Sequence, residues 1–161
     1  MTKLTFDVIA ALNGKTLSVA ESCTGGMIGA LLTGVPGCSA VFKGGVISYT
    51  NEVKVEVLRV SKEILDREGA VSRPVAEAMA VGVRELTNSD CAVSVTGLAG
   101  PGGDEFGNPV GTVYIGYADE KRVLAVKHVF SGDREKVRCQ AVEAALNLIL
   151  KYNSGVQYES N

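Results

Sequence analysis

Histidine is nearly missing from this chain, with a single copy among 161 residues, and tryptophan does not occur. That one residue, His128, sits in the alternating run 123–130, which reads as a strand. Any hydrolytic chemistry here is therefore expected to use a general base other than imidazole. An excess of either charge is missing too: 16 Lys and Arg stand against 18 Asp and Glu, with no basic block. This excludes the phosphate-neutralising stripe of a duplex nucleic-acid binder. It leaves room for a small anionic ligand, for which one or two arginines suffice. No long apolar run is present, so no membrane span is expected. Asp7 stands where a signal peptide would want an apolar stretch, and the expectation is a cytoplasmic protein. The cysteines Cys23, Cys38, Cys91 and Cys139 show no C-x-x-C spacing. They are expected as buried thiols in a reducing compartment, with neither disulfide nor metal.

What is present is an ordinary globular composition, 46% apolar and 21% charged. It fits one domain over 1–161, with a core of about 4–152 and a polar tail at 153–161. Helical spacing runs over 4–13, a short strand over 16–20, and apolar helical spacing over Met27, Ile28, Leu31 and Leu32 until Gly34 and Pro36 stop it. A strand with a bulge at Gly44-Gly45 occupies 40–50, and short helices follow at 51–58 and 61–68. Ser72 caps a longer helix with Pro74 in its first turn. Its Ala76, Ala78, Ala80 and Gly82 suit close packing. Strands at 91–96, 110–117 and 122–130 come next, the last two as an antiparallel hairpin, and a helix over 133–152 ends the fold. The order predicts a three-layer α/β/α domain with a mixed central sheet. The small-sided helix and an open sheet edge suggest a homo-oligomer.

Four segments carry candidate chemistry. In A-E-S-C-T-G-G, Ser22 falls where a strand gives way to a helix opening near Thr24. Unpaired amides and the helix dipole there favour an oxyanion, and Gly25 and Gly26 admit a close approach. Ser22 is then a nucleophile, or else a simple helix cap with glycines for packing. Cys23 is a rival nucleophile, but neighbours at a strand end face opposite ways, so only one meets a substrate. In S-Y-T-N-E-V-K, Lys54 lies in a first helical turn, where dipole and burial lower an amine pKa. A neutral Lys54 can serve Ser22 as base; the alternative is an exposed lysine paired with Glu52. Tyr49 is placed to orient amine or substrate. The loop holding Thr96, Gly97, Ala99 and Gly100 suits a ribose, a phosphate or a flat ring, and equally reads as plain surface. Arg134 and Arg138, one turn apart behind an Asp133 cap, suggest an anionic partner, with surface ion pairs as the alternative.

Taken in order, A-E-S-C-T-G-G, S-Y-T-N-E-V-K, G-A-V-S-x-P-V-A-E-x-M, V-T-G-L-A-G-P-G-G, P-V-G-T-V and F-S-G-D-R-x-x-V-R resemble the C-terminal domain of the competence/damage-inducible protein CinA. The resemblance covers nearly the whole chain. It implies an α/β/α Ser/Lys amidohydrolase that converts nicotinamide mononucleotide (NMN) to nicotinic acid mononucleotide and ammonia, without metal or organic cofactor. The family serine and lysine fall on Ser22 and Lys54. On this reading Thr24, Gly25 and Gly26 hold the oxyanion, while Thr96, Gly97, Ala99, Gly100, Arg138 and Arg134 hold the nucleotide. The family's N-terminal molybdopterin-binding-like module has no counterpart in these residues, and its activities are not carried over. Two other readings stand beside this one: an amidase of another small amide, and a non-catalytic nucleotide- or partner-binding domain linked to competence or DNA damage.

Overall fold

The computed structural model describes residues 2–154. Helix α1 (Thr2–Leu12) leads into β1 (Leu17–Glu21), α2 (Met27–Thr33) and β2 (Phe42–Ile47). Three helices follow, α3 (Asn51–Glu56), α4 (Lys62–Glu68) and α5 (Arg73–Thr87). Then come β3 (Cys91–Gly97), β4 (Thr112–Ala118), β5 (Val123–Val129) and α6 (Arg134–Asn153). The sheet order is β2-β1-β3-β4-β5, with β1 parallel to both neighbours and β3-β4-β5 antiparallel. The mixed α/β sheet and the hairpin are as the sequence indicates.

Alternating side chains divide the core between two layers. Val19, Val93, Val95 and Ile115 pack with Val8 and Leu12 of α1, Ile28 and Leu32 of α2, and the buried face of α6. Ala20 and Ala92 turn to the other side, against Leu58, Leu65, Val75, Met79 and Val83. Each large apolar side chain buried in this way contributes about 1.5–3 kcal/mol. The second layer is thin because α5 lies close on the strands. Ser94 Oγ donates to the Ala76 carbonyl at 2.5 Å. A Cβ on Gly116 would run into both of those residues, so Gly116→Ala would push α5 off the sheet. The small-sided helix read from Ala76 and Ala80 is what permits this approach.

Several boundaries differ from expectation. β2 ends at Ile47 rather than near 50, because Ser48 and the residues after it turn away toward α3. Its bulge is present: Leu17 pairs with Phe42 but Ser18 with Gly44, and Gly44 has φ 136°. Ser72 holds the N-cap position of α5, yet its hydroxyl donates back to the Gly69 carbonyl instead of capping. Of the tail expected at 153–161, Asn153 closes α6 and residues 155–161 lie outside the described residues.

The topology also gathers the chemistry. β1, β2 and β3 run parallel, so Ser22, Lys54 and the loop after Gly97 all follow carboxyl ends of strands on one edge of the sheet. Open α/β sheets bind ligands at this edge. Strand β5 ends there as well, which brings the start of α6 to the same place.

Candidate active site

Ser22 extends the ladder past β1, donating its amide to the Val95 carbonyl at 2.9 Å. The chain then turns sharply. Gly25 (φ 60°) and Gly26 (φ 99°) occupy the left-handed region that glycine adopts without steric cost. Helix α2 begins only at Met27, three residues later than the sequence suggests, because its N-cap is Gly26. Gly26 has no side chain to cap with, and the buried Glu21 does so instead. Its Oε2 accepts from the amides of Gly26 (3.1 Å) and Ile28 (3.2 Å), and its Oε1 from Gly29 (2.9 Å). Gly25 N–H is committed to the Ser22 carbonyl at 3.1 Å. The expected role of Gly25 and Gly26 amides as oxyanion donors is therefore corrected: both are taken. The Thr24 amide has no acceptor among the described residues, and the buried Thr24 hydroxyl is likewise unpartnered there.

The turn is braced from outside by α6. Arg138 donates through Nε to the Cys23 carbonyl (2.9 Å) and through Nη2 to that of Thr24 (3.2 Å). This guanidinium holds the Ser22 turn through its carbonyls and is not among the residues lining the cleft.

Lys54 comes to Ser22 from the next strand over. Ser48 donates its amide to the Glu21 carbonyl at 2.8 Å. Thr50 caps α3, accepting from Val53 N–H at 3.3 Å. The side chain of Lys54 is 1% exposed, with Nζ 3.2 Å from Ser22 Oγ and 2.6 Å from the Ser48 carbonyl that accepts from it. The exposed lysine paired with Glu52 is excluded by this burial. Desolvation lowers the amine from 10.5 to about 8. Burial, rather than the helix dipole, is the leading cause. Cys23 moves the other way, its thiol pushed up to about 11 by burial. A thiol of that pKa is a poor nucleophile near neutrality.

The two side chains open onto a cleft of about 240 Å³ whose walls include Tyr49, Thr96, Gly100 and Arg134. Gly97 and Ala99 complete the far side. Thr96 contributes shape more than a free hydroxyl, since its Oγ1 donates to the Ala70 carbonyl at 2.8 Å. Arg134 donates to the Gly100 carbonyl (2.7 Å) and to the Tyr49 hydroxyl (3.1 Å), linking two walls at the rim. Tyr49 thus meets Arg134 and not the Lys54 amine. Thr24, Gly25 and Gly26 lie behind Ser22, outside the lining. The loop wall is pinned from its far end: Asn108 Nδ2 donates to Asp104 Oδ2 (2.8 Å) and to the Val71 carbonyl (3.2 Å).

Sequence reasoning missed Glu21, Ser48 and Asn108. Glu21 carried a signal, an acid at the end of an apolar strand with no basic neighbour. Ser48 acts through its main-chain carbonyl, which no residue identity reveals.

The comparisons with known proteins bear on the family and the fold. A family model described as CinA C-terminal domain matches residues 2–153. A CinA-like protein of Geobacter sp. (strain M21) is 49% identical over 140 residues, covering 87% of this chain and 34% of that protein. One of Endomicrobium trichonymphae is 50% identical over 137 residues, covering 85% and 32%. The chain thus spans about a third of the length of the curated relatives it matches. Among solved structures, competence damage-inducible protein A from Klebsiella pneumoniae superposes with TM-score 0.93 at 35% identity, covering 97% of this chain and 98% of that one. Competence/damage inducible protein CihA from Agrobacterium tumefaciens gives TM-score 0.90 at 37% identity, covering 94% of both. With the model match running almost end to end, the chain belongs to the CinA C-terminal domain family.

Proposed function

We propose that this protein hydrolyses the carboxamide of nicotinamide mononucleotide through an acyl-enzyme on Ser22, with Lys54 as the base. One observation carries the reading: a buried lysine amine, lowered to about 8, lies 3.2 Å from a serine hydroxyl at the floor of an open cleft. About a tenth of such amines are neutral at pH 7, and nearly all by pH 9. The neutral amine takes the Ser22 proton as Oγ attacks the carboxamide carbon. The tetrahedral oxyanion is met by the Cys23 amide, which belongs to a residue lining the cleft and, like the Thr24 amide, has no acceptor among the described residues. Protonated Lys54 then delivers its proton to the departing amine, and ammonia leaves. Water, deprotonated by Lys54, cleaves the acyl ester and returns Ser22 with nicotinic acid mononucleotide.

The pyridinium ring helps by withdrawing electrons from the amide carbon. At the rim, Arg134 supplies the cation for the phosphate, exchanging its Tyr49 contact for a charge-assisted one. The glycine-bearing wall leaves room for the ribose. Incubating purified protein with NMN and following the gain of one mass unit together with ammonia release tests the reading. Turnover is expected in the native protein and not in Ser22→Ala or Lys54→Ala. Near-native ammonia release by either variant overturns the mechanism. Equal rates on NMN and on the phosphate-free nucleoside overturn the substrate.

A further inference from the structure

A carboxylate stripped of water usually sits beside a cation, and Glu21 does not. It is 1% exposed, and no ion pair among the described residues includes it. Its oxygens accept instead from three amides at the start of α2, at 2.9–3.2 Å. These belong to the N-cap, second and third positions of that helix, where orphan N–H groups need an acceptor. A cap normally comes from the N-cap side chain itself. Here it comes from the last residue of the preceding strand, across the turn that carries Ser22. The carboxylate therefore closes that turn into a ring, with one end on β1 and the other on α2.

The main chain of the same residue reaches the second member of the pair. The Glu21 carbonyl accepts from Ser48 N–H at 2.8 Å, and the Ser48 carbonyl holds Lys54 Nζ at 2.6 Å. One residue thus indexes the hydroxyl through its side chain and the amine through its backbone. We propose that Glu21 is the positioning residue of the Ser22–Lys54 pair, fixing their separation without touching substrate. The inference rests on the hydrolytic reading given above.

The chemistry calls for glutamate and not a near relative. All three partners are donors, and an ionised carboxylate has only acceptors, whereas glutamine would set an NH2 against one amide. Aspartate is one methylene short of the helix end. Glu21→Gln keeps the volume and misplaces the turn. An ångström-scale misplacement of reacting groups costs on the order of 10²-fold in rate.

Two reactions test this separately from the choice of substrate. In the first, NMN turnover is compared between native protein and Glu21→Gln. The expected result is a fall in kcat of about 10- to 100-fold, with KM nearly constant. In the second, a fluorophosphonate labels Ser22: Oγ forms the P–O bond, fluoride leaves and the proton passes to Lys54. Labelling should slow by a similar factor in Glu21→Gln, whether or not NMN is the substrate. Absence of NMN turnover in native protein, with labelling still slowed in the variant, would sink the substrate and spare the positioning role. Unchanged kcat, unchanged labelling, or a loss carried by KM overturns the role. Should Glu21→Gln not fold, hydrogen exchange on the unaltered protein decides. The amides of Gly26, Ile28 and Gly29 should exchange about a hundredfold or more slower than exposed loop amides; equally fast exchange overturns the proposal.

Discussion

The turn at 22–26 and the loop at 98–111 leave the same edge of the sheet, from the parallel neighbours β1 and β3, and are tied down in different ways. The turn is short and held through its main chain. Glu21 and Arg138 take its amides and carbonyls from opposite sides. The loop is long and held at a few points, by Arg134 at Gly100 and by Asn108 at Val71. A nucleophile must sit within a fraction of an ångström of its base, while a wall for sugar and phosphate tolerates movement. On the proposed hydrolytic reading, the turn sets rate and the loop sets affinity.

The largest expected effect breaks the turn side of the contrast. Replacing Lys54 by Met should lower kcat by ~10³-fold or more and leave the fold intact, since the side chain is already buried. Measured turnover within tenfold of native would remove the basis of the proposed chemistry. The same variant reports on pH. The Lys54 amine titrates at about 8 when folded and near 10.5 when unfolded. Between those values the unfolded chain holds the extra proton, so native stability rises with pH. The advantage of Lys54→Met over the native protein should therefore shrink by about 1.4 kcal/mol per pH unit from 8 to 10.5. Denaturant midpoints at several pH values check this, and a constant difference would contradict the shifted amine. Native kcat should rise through pH 8 and then level.

Next in size is Arg138→Gln, which removes the brace on the Cys23 and Thr24 carbonyls. The expected loss is in kcat, by about 10- to 100-fold, with little change in KM. A loss confined to KM would return Arg138 to the nucleotide. On the loop side, Asn108→Ala should raise KM by roughly 5- to 10-fold, the equivalent of one lost hydrogen bond, and spare kcat. A kcat defect there would erase the division between the two regions. Smallest is Tyr49→Phe, which deletes only the acceptor for Arg134; about a twofold change in KM is expected from an exposed, solvent-screened contact.

Much of this was legible before folding. The order of the helices and strands, the hairpin, the bulge at Gly44 and the cap at Asp133 follow local rules that depend on residues close in the chain. Ser22 and Lys54 could be paired because a lone histidine left few bases to choose from. The errors fell where the folded chain commits a group that its type and spacing left open. The amides of Gly25 and Gly26 looked free because the nearby chain offers no obvious acceptor, yet Ser22 and Glu21 take them. Arg138 looked like an anion anchor because its spacing puts it beside Arg134, yet the guanidinium meets two carbonyls more than a hundred residues away in sequence.

By itself, the sequence determined the layered α/β architecture and the residue types available for catalysis, because hydrophobic period and turn chemistry are written over stretches of a few residues. Only the tertiary structure decided which of those residues act together. Desolvation of Lys54, the 3.2 Å approach to Ser22 and the routing of Arg138 to the turn all arise from packing between elements far apart in the chain. An amine loses its charge, and a carboxylate finds its donors, only once the surrounding layers have excluded water.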